Sequence, residues 1–277
     1  MSARRRRGPL PGFGLSLGFT LSYLGVLVLL PFAALVLRAA SLTPARFWEL
    51  VSAPRAVAAF QLSFGAALAA AAVNLLFGLL VAWVLERYRF PGRRFVDGLV
   101  DLPFALPTAV AGIALTALYD ERGWIGAALA PLGIKVAYTP LGVAVALVFI
   151  GLPFVVRTVQ PVLRDLEPAL EEAAASLGAS RWQAVRRVVL PELLPAAGTG
   201  FVLALARGLG EYGSVIFIAG NLPGLTEITP LLIMIRLEEY DIAGATAIAA
   251  TFLAASLLLL FTVNLLSWRQ GRKAAVG

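Results

Sequence analysis

Arg207 and Glu211 are the residues of this chain whose types and spacing could do chemistry inside an apolar segment. They stand four apart, so on a helix they share one face. A charge at the centre of a membrane helix costs roughly 2.5–3.5 kcal/mol on insertion scales. That cost favours mutual pairing or a wet cavity. Gly208, Gly210 and Gly213 surround the two charges and permit close backbone approach. Two readings stand level. One is a structural ion pair that fixes helix packing. The other is a gate or pathway element, with Arg207 available to an anion. A proton relay is disfavoured, because few other acids lie within the apolar runs.

A second chemistry-bearing stretch is the charged island from Glu172 to Pro191, set between two long apolar segments. Its Ala-rich start favours a helix with little bulk. Gly178 can stop that helix in the left-handed conformation. Ser180 with Gln183 makes a capping-box start for a second helix, which Pro191 is expected to end. Trp182, Val185 and Val189 fall on one face at i, i+3 and i+7. The result is a compact knob with small residues at its tip, suited to docking on another protein; the plainer reading is an interfacial helix between two spans.

Other chemistry is excluded. The chain has no cysteine and no histidine, so disulfides, Cys/His metal sites and histidine acid–base catalysis are ruled out. A phosphate-binding loop needs Gly-Lys followed by Ser or Thr. The two lysines, Lys135 and Lys273, fit no such motif. If ATP drives this protein, another chain binds it.

The elements that must position these residues are membrane helices. The chain is 60% hydrophobic and 14% charged over 277 residues, where a soluble domain carries about a quarter charged residues. A bilayer core needs roughly 20 apolar residues per helix. Six such runs are expected, at Leu17 to Leu37, Val57 to Leu85, Leu99 to Tyr119, Val136 to Val159, Leu193 to Ile218 and Ile242 to Trp268. The third carries Pro103, Pro107 and Gly112. Pro kinks a helix, and irregular backbone at membrane depth is buried in protein or lines a cavity. In the last outer loop, Leu231 to Ile235 is expected to form a short interfacial or re-entrant helix.

Charge sets the orientation. With the N-terminus inside, the inner segments hold sixteen Arg or Lys of 23, the outer loops with flanking Arg38 hold six, and Arg207 lies within span five. This split predicts both termini in the cytoplasm. The domain reading is a basic cytoplasmic tail (1–16), a six-helix membrane domain (17–268) and a basic cytoplasmic tail (269–277). The net charge of +7 then reports topology rather than nucleic-acid binding. Glu227, Glu238, Glu239 and Asp241 make the last outer loop acidic, and a solvated face is the default reading for each.

The spacing of the knob motif carries a resemblance. Glu172-Ala173-Ala174, then Gly178, then Leu190-Pro191 is similar to the EAA loop of ABC-importer permeases, with Val188 where that family often has Ile. Longer segments extend the likeness: Ala105 to Gly112, Gly133 to Pro140, Gly151 to Val162 and Gly210 to Asn221 resemble the sulfate/thiosulfate permease T subunits. Molybdate and tungstate permeases are also similar, but commonly have a second Pro where this chain has Thr108, and often lack one N-terminal span.

The resemblance implies an all-α membrane protein of type I ABC-importer architecture in the bacterial cytoplasmic (inner) membrane. It implies a second permease subunit, two cytoplasmic ATP-binding subunits that hold ATP and Mg, and a periplasmic or extracellular sulfate-binding protein. The chain itself would be no enzyme and would bind no cofactor or metal. Its coupling residues would be Glu172, Ala173, Ala174, Gly178, Leu190 and Pro191. Arg207, Glu211, Pro107 and Thr108 are pathway or gate candidates. A stand-alone secondary anion transporter is the contrasting class. It predicts inverted repeats, and no clear repeat is visible.

Overall fold

Backbone polar groups in a bilayer must be satisfied internally, and a helix does this within one segment. The regular structure of the described residues is all helical. The computed structural model describes residues 12–274, and side chains through 265; the Arg4–Arg7 cluster and the side chains of Arg269, Arg272 and Lys273 lie outside. Helix α1 (Phe13–Ala40) includes one π-helical turn at Gly25–Leu29. Short α2 (Pro44–Val51) and long α3 (Pro54–Arg87) follow. Then come α4 (Arg93–Val100), α5 (Leu102–Ala105), α6 (Thr108–Tyr119) and α7 (Trp124–Leu129). Helix α8 (Pro140–Asp165) precedes α9 (Pro168–Ser176) and α10 (Arg181–Leu209). The chain ends with α11 (Val215–Ala219), α12 (Thr229–Glu238) and α13 (Ile242–Ala274).

Among the described residues five helices are long and apolar enough to cross a membrane: α1, α3, α8, α10 and α13. The run expected as a third span is instead divided. Pro103 sits in the first turn of α5, where a missing N–H costs nothing. Leu106 is extended at ψ 135°, as a residue before proline must be. The chain therefore breaks at Leu106–Pro107 and restarts as α6, rather than kinking as one helix.

The core is built on α3, α8 and α10, which pack along one another. Ala56, Ala59, Ser63, Ala67, Ala70, Asn74 and Gly78 of α3 are buried at three- or four-residue spacing. Lipid is as apolar as leucine, so close approach of small residues is what holds such helices together. Larger side chains from α8, including Val143, Leu147, Val155 and Val159, fill the space between. Helix α13 packs against α10 and α12. No residue of α1 is buried, and its second half rests on α13.

Two further boundaries differ from the sequence expectation. Pro191 does not end a helix: α10 runs through Pro191 and Pro195 to Leu209. A π-helical turn at Val185–Val189 precedes it. The wider turn restarts the α-helical pattern at Leu190, leaving Pro191 in a first turn that needs no N–H from it. The expected fifth span also ends early. The helix stops at Leu209, residues 210–214 form a turn, and α11 follows.

Candidate coupling knob and intramembrane charge pair

The knob forms as its local chemistry dictates. Helix α9 ends at Gly178, whose φ of +82° is strained for any residue with a Cβ. The Gly178 N–H donates to the Ala175 carbonyl at 2.9 Å, and the Ala179 N–H to the Ala174 carbonyl at 3.0 Å. This double closure is the Schellman arrangement. Ser180 then opens α10 with a complete capping box: the Gln183 N–H donates to its Oγ at 3.3 Å, and its own N–H donates to Gln183 Oε1 at 2.8 Å. Glu172, Ala173, Gly178 and Leu190 are exposed, while Ala174 and Pro191 are half-buried. Leu177 and Trp182 project furthest, at 90% and 71% exposure. Of the predicted apolar face only Val189 is fully buried, beneath the tip.

At the far end of α10 the two intramembrane charges meet, though not on one helix. Glu211 lies past the helix end and its residue is 2% exposed. Arg207 Nη1 stands 2.6 Å from its Oε2 as an ion pair. The backbone N–H and the hydroxyl of Ser214 both donate to Oε1 at 2.8 Å. Glu211 thus ties the end of α10 to the start of α11. The Arg207 side chain remains about one-third exposed, with guanidinium donors left for another acceptor. The break after α5 lies beside this turn. A Cβ on Gly112 would stand 2.8 Å from Ser214 Cα, so α6 and the turn touch backbone to backbone. A Cβ on Gly213 would stand 3.0 Å from Thr108 Cβ. The fold therefore brings Thr108, at the start of α6 after Pro107, against the turn that holds Glu211.

One helix thus joins an exposed knob to a charge pair whose carboxylate is buried, within an all-helical bundle. Residues 74–272 match the model of the family described as "Binding-protein-dependent transport system inner membrane component". The chain belongs to this family of inner-membrane transport components. The chain is similar to the Escherichia coli (strain K12) sulfate transport system permease protein CysT, at 54% identity over 99% of each. It is 52% identical to the Synechococcus elongatus protein of the same name, over 90% of this chain and 89% of that one. Among solved structures it resembles a bacterial ABC transporter importing alginate, with TM-score 0.71, 19% identity and coverage of 92% and 94%. The methionine ABC transporter MetNI is also similar, with TM-score 0.58, 20% identity and coverage of 84% and 99%. The type I ABC-importer permease fold and a multi-pass inner-membrane location follow.

In this inner-membrane component several polar residues matter that sequence reading passed over. Arg87, the last residue of α3, pairs with Glu171, next to the Glu172 of the motif. Arg157 of α8 is the hub of the knob-side surface. Its Nη1 donates to Asp97 Oδ1 at 2.6 Å and its Nε to Asp101 Oδ1 at 2.7 Å, and Gln160 joins them. The available signal was the spacing of Asp97 and Asp101, four apart on an amphipathic stretch. Burial opposes ionisation of Asp97, but hydrogen bonds from Arg157 and Gln160 with the charge of Arg157 outweigh it. Its pKa lies below the usual aspartate value. At the opposite end Glu227 corrects the solvated reading: it is 2% exposed and takes two hydrogen bonds from Arg55, at 2.7 and 2.8 Å. The buried carboxylate needs that partner. Asp241 is half-buried and caps α13 through the Gly244 N–H. Glu238 and Glu239 are exposed, as expected. The expected loop helix is present as α12.

Proposed function

We propose that the chain is the membrane-spanning permease subunit of an ATP-driven sulfate/thiosulfate importer, moving the oxyanion by alternating access. The observation that carries this reading is the 54% identity, over 99% of both chains, with the sulfate permease of Escherichia coli. The chain crosses the membrane six times with both termini in the cytoplasm, and the broken segment α5–α6 supplies the third crossing. Helix α6 alone, at 12 residues, spans only about 18 Å. The backbone break at Leu106–Pro107 therefore lies at membrane depth, the kind of irregularity tolerated where it faces protein or a cavity. The proposed domain division keeps the 17–268 membrane unit between its two basic tails.

Two partner ATPases bind and hydrolyse ATP with Mg, a second permease subunit completes the pathway, and an extracytoplasmic binding protein delivers sulfate. This chain supplies no catalytic residue. Glu172, Ala173, Ala174 and Gly178 form the coupling knob, and Leu177 and Trp182 are its apolar contacts. Leu190 and Pro191 lie where the knob enters the membrane. The continuity of α10 supports the coupling. From Arg181 to Arg207 one helix runs for about 40 Å, so a shift at the knob reaches the Arg207–Glu211 pair as a rigid-body motion. Arg207 then offers its free donors to the oxyanion, with Thr108 and Pro107 against the turn that follows it, while Glu211 holds the guanidinium in place.

The test is sulfate uptake by a strain that lacks its own T subunit but keeps the other components. Restored uptake of radiolabelled sulfate, resistant to excess molybdate, is expected. Molybdate uptake without sulfate uptake would reassign the substrate. Uptake that persists without the ATPase would point to a secondary transporter. Co-purification of ATPase with the wild type but not with Gly178→Asp is expected in parallel.

A further inference from the structure

We propose that α4 and the turn before it form a binding site for an anionic phospholipid, with the guanidinium groups on the headgroup phosphate and an apolar stripe in the leaflet. Helix α3 ends with Trp83 against Arg87, 5.5 Å from ring centroid to guanidinium, the pairing of aromatic and cation typical of a membrane interface. Just beyond, Arg89, Phe90, Gly92, Arg93 and Arg94 line a cleft of about 340 Å³. Arg93 is shared with Glu86 at 3.4 Å. Arg89 and Arg94 are exposed and have no carboxylate partner among the described residues. The cleft therefore holds unneutralised positive charge.

The helix that follows has two unlike faces. Asp97 and Asp101 pair with Arg157 while their side chains stay nearly half exposed, and Val100 is buried. Phe95, Leu99 and Leu102, at i, i+4 and i+7, are 71%, 47% and 40% exposed. Arg157 belongs to α8, so its bonds hold α4 level with the last membrane turns of that helix. A helix with cations at one end and a bare Phe/Leu stripe, held at that depth, lies in the interface plane. A soluble anion would satisfy the arginines and leave the stripe bare. A protein partner would cover the stripe, but would need acidic groups opposite three arginines. A phospholipid with a net negative headgroup meets both demands at once.

The experiment uses the full transporter complex in nanodiscs of phosphatidylcholine with or without phosphatidylglycerol. Native mass spectrometry then reads the lipid retained on the permease. Phosphatidylglycerol is expected to be kept in preference to phosphatidylcholine, and Arg89→Gln with Arg94→Gln to weaken that retention about five-fold per arginine. Neither arginine has a carboxylate partner among the described residues, so the variant is expected to fold. Equal retention of the two lipids, or no change in the variant, overturns the proposal. Displacement of the lipid by inorganic phosphate would reassign the cleft to a free anion and overturn it too. A spin label is placed at Leu99→Cys on the purified permease, which has no other cysteine, before the complex is assembled. It is expected to be accessible to oxygen and shielded from a polar relaxant. Access to the polar relaxant would place α4 in water, and shielding from both would place it under protein; either result overturns the site.

Discussion

The two ends of α10 are built in opposite ways. At its start the knob closes through bonds that span a few residues: the left-handed Gly178, the double closure onto Ala174 and Ala175, and the Ser180–Gln183 box. Its tip is bare, with Leu177 and Trp182 in the open. At its end the helix stops on a buried carboxylate, and the turn is held to α6 by contacts distant in sequence. A locally closed element keeps its own shape when pushed, so a push on it travels along α10. A turn closed by long-range contacts belongs to the bundle and carries that push into it. One helix thus has a self-contained handle at one end and a joint to the bundle at the other.

Breaking the joint gives the largest expected effect. Glu211→Ala leaves the partly exposed Arg207 charge and the two buried Ser214 donors without their acceptor, which costs about 3 kcal/mol, the low end for a buried pair because Arg207 is one-third exposed. A thermal-stability series in detergent reads this as loss of folded protein, and adding Arg207→Leu recovers part of it. A loss below about 1 kcal/mol would erase the contrast between the two ends. Gly112→Ala forces a Cβ against the Ser214 backbone and is expected to cost about 1–3 kcal/mol in the same assay.

Changes at the handle are smaller and stay local. Gly178→Ala meets the left-handed penalty of about 1–2 kcal/mol. It is expected to raise protease cleavage within 172–184 while leaving the melting of the bundle in place. Coupled melting would show that the knob is part of the core. Ser180→Ala removes half of the capping box and is expected to cost about 1 kcal/mol, read as faster hydrogen exchange in the first turn of α10. The smallest effect concerns Asp97. Its depressed pKa means that its ion pair is fully present above the ordinary aspartate value near 3.9, and is lost as pH falls through the lower folded value. The protection factor of α4 amides against hydrogen exchange, corrected for the intrinsic pH dependence, is expected to be flat from neutral pH to about 4 and to fall below it. Asp97→Asn would remove that acid step.

What was legible follows the same division. The knob could be read residue by residue, because Gly178, Ser180 and Gln183 act on neighbours a few positions away. The long helices could be read as apolar runs. The third span was misread because hydropathy does not distinguish one helix from two. The sign was there in Pro103 and Pro107, since a residue before proline is pushed out of the helix. The end of α10 was masked in the same way: Gly210 and Gly213 bracket Glu211, yet the run stays apolar on both sides. Pro191 misled in the other direction, because a preceding π-helical turn is not visible in composition. Glu227 was read as solvated because Arg55, its partner, lies 172 residues away.

The sequence alone determined the membrane class, the absence of cysteine and histidine chemistry, the knob with its caps, and the segments that mark the permease family. Each depends on composition or on contacts within one turn of helix. Tertiary structure decided that Glu211 would lie off the helix yet still meet Arg207, that α6 would start against Ser214, and that Arg157 would bind two aspartates across the bundle. Those outcomes depend on which backbones approach closely enough to exclude side chains and water. That is a property of packed helices, not of any one of them.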